Sequence, residues 1–384
     1  MNRASAYLVL FTVFIDLLGF GIIIPLLPFY AMHFGATPTV IGLLSSSYSF
    51  MQFLFVPFWG RLSDRIGRRP IILMSVTGSF ISYLIFGFAD SLAVLFISRI
   101  LAGFMGANIS ASQAYIADTT SFEERAKYMG LIGAAFGVGF MLGPFIGGMM
   151  SNISYGAPGF LASGLSLINA ILAYFMLPES LMDRNKPVRK LSLLNITGIR
   201  AAFEKRRIGT LVIVYFFYTV AFSILYVAFP LFSEKRLKYN AIENGYFFAY
   251  VGLIGIVIQG GVIGKLAKKF GEKSMMVVGL TSLMTSLAFV PAAHGLSILI
   301  ILATLLAIGS ALITPSLTSL ISKYAGTGEQ GGTLGVSQSF SSLGRVIGPF
   351  LGGFILATAG IGWPFYAGSI MLIVALMLAL RAPS

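Results

Sequence analysis

Apolar runs of about 20 residues alternate along this chain with short polar and charged segments. A helix rises 1.5 Å per residue, so ~20 apolar residues cross the ~30 Å hydrocarbon core of a bilayer. The runs predict helices at 5–30, 39–59, 69–89, 92–117, 124–150, 158–177, 207–232, 241–263, 274–293, 297–322, 330–357 and 361–381. A membrane barrel would show ~10-residue alternating segments instead. In lipid every backbone polar group needs an internal partner, which leaves the helix as the spanning element here. The pattern therefore predicts an all-α membrane protein with twelve transmembrane helices.

Composition agrees with lipid as the main solvent. Of 384 residues, 57% are hydrophobic and 10% charged, and the mean hydropathy is +0.89. Soluble domains carry about 25% charged residues. The net charge of +13 would suggest a nucleic-acid partner in a soluble protein. Here the cations mark topology, and no nucleic acid is expected. With the N-terminus inside, 21 of the 26 Lys and Arg fall on inner segments, and the outer ones hold only Lys235, Arg236 and Lys238. That asymmetry predicts both termini in the cytoplasm. The linker 179–206 is rich in charge and separates a six-helix bundle at 1–178 from a second at 207–384. There are no cysteines, so no disulfide frame or thiolate metal site is available. The first apolar run is long and holds Asp16, and it reads as a retained span rather than a signal peptide.

The two bundles repeat each other. Gly60-Arg61-Leu62-Ser63-Asp64-Arg65-Ile66-Gly67-Arg68-Arg69 returns 204 positions later as Gly264-Lys265-Leu266-Ala267-Lys268-Lys269-Phe270-Gly271-Glu272-Lys273. The run Gly139-x3-Gly143-Pro144-x2-Gly147-Gly148 returns 205 positions later as Gly344-x3-Gly348-Pro349-x2-Gly352-Gly353. Two motifs at nearly one offset predict two pseudo-symmetric bundles from a duplicated unit, the plan by which many transporters build a midplane site.

These motifs carry a family resemblance over the whole chain. The loop with Gly60, Asp64, Arg65, Gly67, Arg68 and Arg69 resembles the loop signature of the major facilitator superfamily. Leu95-x3-Arg99-x3-Gly103-x2-Gly106-Ala107 looks like its membrane-embedded arginine motif. The Gly139, Gly143, Pro144, Gly147, Gly148 run resembles the signature of its proton-coupled antiporters. Asp16-x2-Gly19-x-Gly21-x3-Pro25-x2-Pro28, and Ile116 to Thr120 followed by Glu124-Arg125, are similar to twelve-helix drug:proton antiporters, the tetracycline exporters among them. The resemblance implies the major facilitator fold in a prokaryotic inner (plasma) membrane. It implies a gate at Asp64 and its basic neighbours, which otherwise read as a solvated loop. It also implies that the helix-5 glycine run seals against proton leak. One departure stands out: apart from Asp16, the acids fall in loops or at helix ends, as Glu124 and Glu243 do, and His33 and His294 lie in outer loops.

Asp16 is the leading candidate for proton coupling. A charged Asp at a helix centre costs ~2.5–3.5 kcal/mol on insertion scales, and such residues mark ion pathways. The alternative is a permanent ion pair. Arg99 lies at a similar depth and is the expected partner, though it could instead bond carbonyls and hold helices together. Arg99, Gly103, Gly106, Ser110 and Gln113 share one face of a continuous helix 4, with Asn108 opposite. Tyr215, Tyr218, Phe222 and Tyr226 form an aromatic stripe that suits either packing or a bulky apolar or cationic ligand. Gln52, Gln113, Gln259 and Gln338 are further candidate cavity contacts. Arg345 either binds an anionic group or snorkels. The chain holds no GxxxxGK[ST] loop, which argues against an ATP-driven pump. No metal cluster or catalytic constellation appears, so neither enzyme activity nor a cofactor is expected. The reading is a proton-coupled exporter of a drug-like or amphipathic small molecule, working as a monomer by alternating access with its substrate between 1–178 and 207–384. The alternative is a proton-independent facilitator, or a lipid or metabolite transporter, of the same fold.

Overall fold

A computed structural model of the chain describes residues 3–106, 108–120, 122–180, 200, 202–325 and 330–381. Its first half runs α1 (Arg3–Ile23), α2 (Leu27–His33), α3 (Pro38–Ile66), α4 (Arg68–Gly87), α5 (Leu92–Met105), α6 (Asn108–Thr119), α7 (Phe122–Met150) and α8 (Ala157–Met176). Its second half runs α9 (Arg206–Phe232), α10 (Ala241–Val257), α11 (Ile263–Phe289), α12 (Leu296–Tyr324), α13 (Gln330–Ala359) and α14 (Trp363–Arg381). No strand occurs among the described residues. Ten helical runs there are long and apolar enough to cross a membrane. One of them, Ala241–Ala292, has 52 residues, far more than one span needs. It is interrupted at Gly271, whose φ is +75°. Most of the linker 179–206 and the acid Glu329 lie outside the described residues, as do the side chains of Glu124 and Arg125.

Two expected helices are broken. The helix expected over 5–30 ends at Ile23 and resumes at Leu27. Pro25 sits in the gap, and proline cannot donate the helical hydrogen bond. The helix expected over 92–117 stops at Met105 and restarts at Asn108, with Gly106 at φ −70°, ψ +46°. Backbone freed at membrane depth must find other partners, and side chains supply them. Trp59 Nε1 donates to the carbonyl of Phe104 (2.6 Å), Ser75 Oγ to that of Met105 (2.5 Å) and Gln52 Nε2 to that of Gly106 (3.5 Å). The break corrects the expected single face from Arg99 to Gln113, because helical register does not carry through it. Arg99 is buried, Gln113 is exposed and Asn108 is fully buried.

The described residues gather into two compact units. The first comprises those of Met1–Phe34, Ser47–Leu194 and Ala241–Ala249, the second those of Gly35–Ser46, Asn195–Asn240 and Tyr250–Ser384. In the first, α1 lies against α7 and α8, and α4 against α8 and α5. In the second, α9 lies against α13 and α14, and α11 against α12.

Candidate functional site

Asp16 lies one turn before Gly19 on α1 and faces α4. Ser79 Oγ donates to its Oδ1 at 2.9 Å. Asn108, brought inward by the break after α5, is the second polar side chain that bonds to it. Asn108 also donates to the carbonyl of Thr12 (3.4 Å), as does Asn169 of α8 (3.2 Å). The direct ion pair expected between Asp16 and Arg99 is absent among the described residues. Arg99 is 2% exposed and rests between two rings of α4, with its Cζ 5.8 Å from the Tyr83 centroid and 5.3 Å from that of Phe86. Its Nε reaches Ser98 Oγ at 3.3 Å, and its Nη2 has no hydrogen-bond partner. Ser79, Tyr83 and Asn108 thus adjoin the two candidate residues, although no charge marks them in the sequence. Ser75, Ser79 and Ser82-Tyr83 recur at helical spacing, a polar face that was there to be read.

The loop after α3 forms a charge cluster at one end of the same unit. Arg68 pairs with Asp64 one turn back and with Asp118 of α6 at 3.0 Å, and donates to Ser63 Oγ at 2.7 Å. Glu179 accepts from the backbone N–H groups of Arg68 and Ser180, both at 2.9 Å. Gly67 (φ +113°) turns the chain there, and a Cβ on it would stand 2.1 Å from Glu179 Oε2. Arg69 donates to the carbonyl of Tyr174 at 2.7 Å, Gly60 accepts from Ser63, and Arg65 is exposed. The sequence marked Asp118 only as part of the Ile116 to Thr120 motif and Glu179 only as a linker charge; neither was expected as a partner of the Arg68 loop. The second copy of the loop carries the pattern with reversed charge. Lys323 donates to Glu272, and this bond holds the carboxyl, which lies between apolar runs, below its usual range. Arg68 and Glu272 are 204 positions apart, Asp118 and Lys323 are 205 apart.

The glycine runs are packing faces. A Cβ on Gly143 would meet the carbonyl carbon of Gly21 at 2.5 Å, and one on Gly147 the oxygen of Ile22 at 2.2 Å; Gly139 lies against Leu17. Gly148 and Pro144 instead face the first turn of α10, with a Cβ on Gly245 2.6 Å from the Pro144 oxygen. In the second unit Gly348 abuts Val220 on α9 in the same manner, while Gly353 and Pro349 face Pro38 and Gly42 at the start of α3.

The aromatic stripe on α9 is continuous. Tyr215, Tyr218, Phe222 and Tyr226 follow one another at centroid spacings of 6.3, 5.8 and 5.5 Å. Thr314 reaches the Tyr218 hydroxyl at 3.3 Å. Arg345 is aimed by Ser341 (2.9 Å) and Ser342 (2.8 Å) and interacts electrostatically with Tyr215 and Tyr226. Gln52 donates to the Tyr48 hydroxyl at 2.8 Å. Gln259 and Gln338 are exposed.

The Major Facilitator Superfamily model matches residues 9–284 and 260–384. The Escherichia coli protein named tetracycline resistance protein, class B, is 31% identical over 91% of this chain and 88% of its own length. Multidrug resistance protein 2 of Bacillus subtilis (strain 168) is 32% identical over 95% of this chain and 92% of its own. Among solved structures, the human organic anion transporter MFSD10 (TETRAN) superposes with a TM-score of 0.77 at 25% identity, covering 98% of this chain and 99% of that one.

Proposed function

Because this chain belongs to the major facilitator superfamily, we propose that it is a proton-coupled secondary transporter that exports an amphipathic, aromatic drug-like molecule by alternating access. Asp16 is its proton site. One observation carries the reading: the carboxyl at membrane depth is held by neutral Ser79 and Asn108 and not by a cation. A carboxyl fixed in an ion pair stays charged, whereas one held by neutral groups can exchange a proton when its surroundings change. Each inward proton across 100 mV releases about 2.3 kcal/mol, enough for roughly fiftyfold accumulation of substrate.

The relatives are named for resistance to tetracycline and to multiple drugs, which points to a bulky, partly aromatic cargo moving outward. The Tyr215–Tyr226 ladder beside Arg345 suits such a ligand, offering ring faces and one cation. Dividing Ala241–Ala292 at Gly271 and counting α7 with the ten apolar runs supports a reading of twelve spans. An even count puts both termini on one side, the cytoplasmic side by the distribution of Lys and Arg. The repeated glycine faces and charge-reversed loop pairs support two pseudo-symmetric bundles, with the Arg68 and Glu272 clusters acting as gates.

Proteoliposomes with an imposed pH gradient test the reading. Wild type should move tetracycline uphill, and Asp16→Asn should lose uphill transport to background while keeping its melting temperature within a few degrees. Proton-driven transport that survives in Asp16→Asn would favour the proton-independent facilitator.

A further inference from the structure

Asp16, half-buried, and Arg99, buried, form no ion pair among the described residues, and one side chain lies beside both. Tyr83 is 4% exposed on α4, one turn beyond the Ser79 that bonds Asp16. Its ring lies tight against α1: a Cβ on Gly19 would stand 2.8 Å from Tyr83 Cε2 and 3.1 Å from its hydroxyl oxygen. Its face carries the Arg99 guanidinium, which Phe86 covers as well. The hydroxyl interacts electrostatically with Asp16, Tyr48 and Arg99. The Arg99 Nη2 is buried and unpartnered, so it would gain a strong bond by swinging to a carboxylate.

We infer that Tyr83 is a positioning residue: it holds Arg99 off Asp16 and so leaves Asp16 free to exchange a proton. The inference rests on Asp16 being the proton site. The physical reason is a balance of two attractions. Stacking on two rings stabilises a desolvated guanidinium without bringing a negative charge near it. A contact with Asp16 would stabilise both charges, but it would lock the carboxyl in its ionised form. Gly19 permits the arrangement, because any side chain there would displace the ring. The groups that face Asp16 from the neighbouring elements are Ser79 and Tyr83 from α4 and Asn108 from α6. The described side chains of α7 and α8 bring no titratable group to it.

The test is a titration of the Asp16 carboxyl by infrared difference spectroscopy in detergent, on the full chain. The carboxyl band is assigned by its loss in Asp16→Asn. Tyr83→Leu removes both the ring face and the hydroxyl, and the band midpoint should move about one pH unit or more to lower pH, the size expected when a cation reaches a carboxylate. Tyr83→Phe keeps the ring face and should move it less. Adding Arg99→Gln to Tyr83→Leu should return the midpoint toward wild type, because no cation remains to swing across. An unchanged midpoint in both Tyr83→Phe and Tyr83→Leu overturns the inference. So does a shift that persists when Arg99 is neutralised, because the ring would then act through local packing alone. Uphill transport is measured on the same proteins. If Asp16→Asn transports normally, the proton-site reading itself has failed; if it does not transport and the midpoint is still insensitive to Tyr83, only the role of Tyr83 has failed.

Discussion

Trp59 shows how one residue keeps a broken helix tolerable in lipid. Its Nε1 serves the Phe104 carbonyl at 2.6 Å, beside the break between α5 and α6, while its ring packs edge-on to Phe104 at 5.5 Å. Trp59→Phe keeps an aromatic body and removes the donor. A buried acceptor left without a partner costs about 1–3 kcal/mol, so thermal unfolding in detergent should show a loss of that size. Ser75→Ala should do the same through Met105. If both variants melt like wild type, the break is satisfied by other means. This residue-scale accounting was not legible in the sequence, where Trp59 reads as one more apolar position in the run before Gly60.

At the scale of elements, the glycines of α7 and α13 decide how closely helices approach. Small residues allow backbone contact where lipid gives no hydrophobic incentive to associate. Gly143→Ala forces a methyl to 2.5 Å from Gly21, so α1 and α7 must separate. Overpacking of this kind costs about 1–3 kcal/mol. Gly164 on α8 is the control: a Cβ there meets nothing within 4 Å. Gly164→Ala should be neutral or stabilise by up to about 1 kcal/mol, because alanine loses less backbone entropy in a helix. The denaturation midpoint should fall for Gly143→Ala and stay level or rise for Gly164→Ala. The same element scale explains why the face expected from Arg99 to Gln113 fails. Periodicity projects positions along an unbroken cylinder, and the run through Gly106 is not one.

For the whole molecule, the duplicated loop yields a prediction that spans both halves. Arg68–Asp118 and Glu272–Lys323 hold equivalent places with opposite polarity. Reversing one partner, as in Glu272→Lys, should weaken the second loop, and adding Lys323→Glu should restore it. The pair is partly exposed, so the thermal effect should stay under about 1 kcal/mol, and the clearer readout is the recovery of transport in the double variant. Because Lys323 holds the Glu272 carboxyl low, the pair stabilises the protein above the usual Glu pKa of ~4.3. That contribution fades as pH falls through the lower folded value. The class of protein was legible at this scale from residue order alone: apolar runs of spanning length, cations gathered on alternate segments, and two motifs repeated at 204 and 205 positions. These are one-dimensional properties, set by bilayer thickness and by how helices insert. Asp16 and Arg99 were legible too, because a charge in an apolar run needs a reason. What surrounds them was not. That Ser79 bonds Asp16, that Tyr83 stands beside both, and that Asn108 turns inward depend on helix rotation and on the break at Gly106. Tertiary packing decides these, because a neutral hydroxyl or amide becomes conspicuous only when the fold places it against a buried charge.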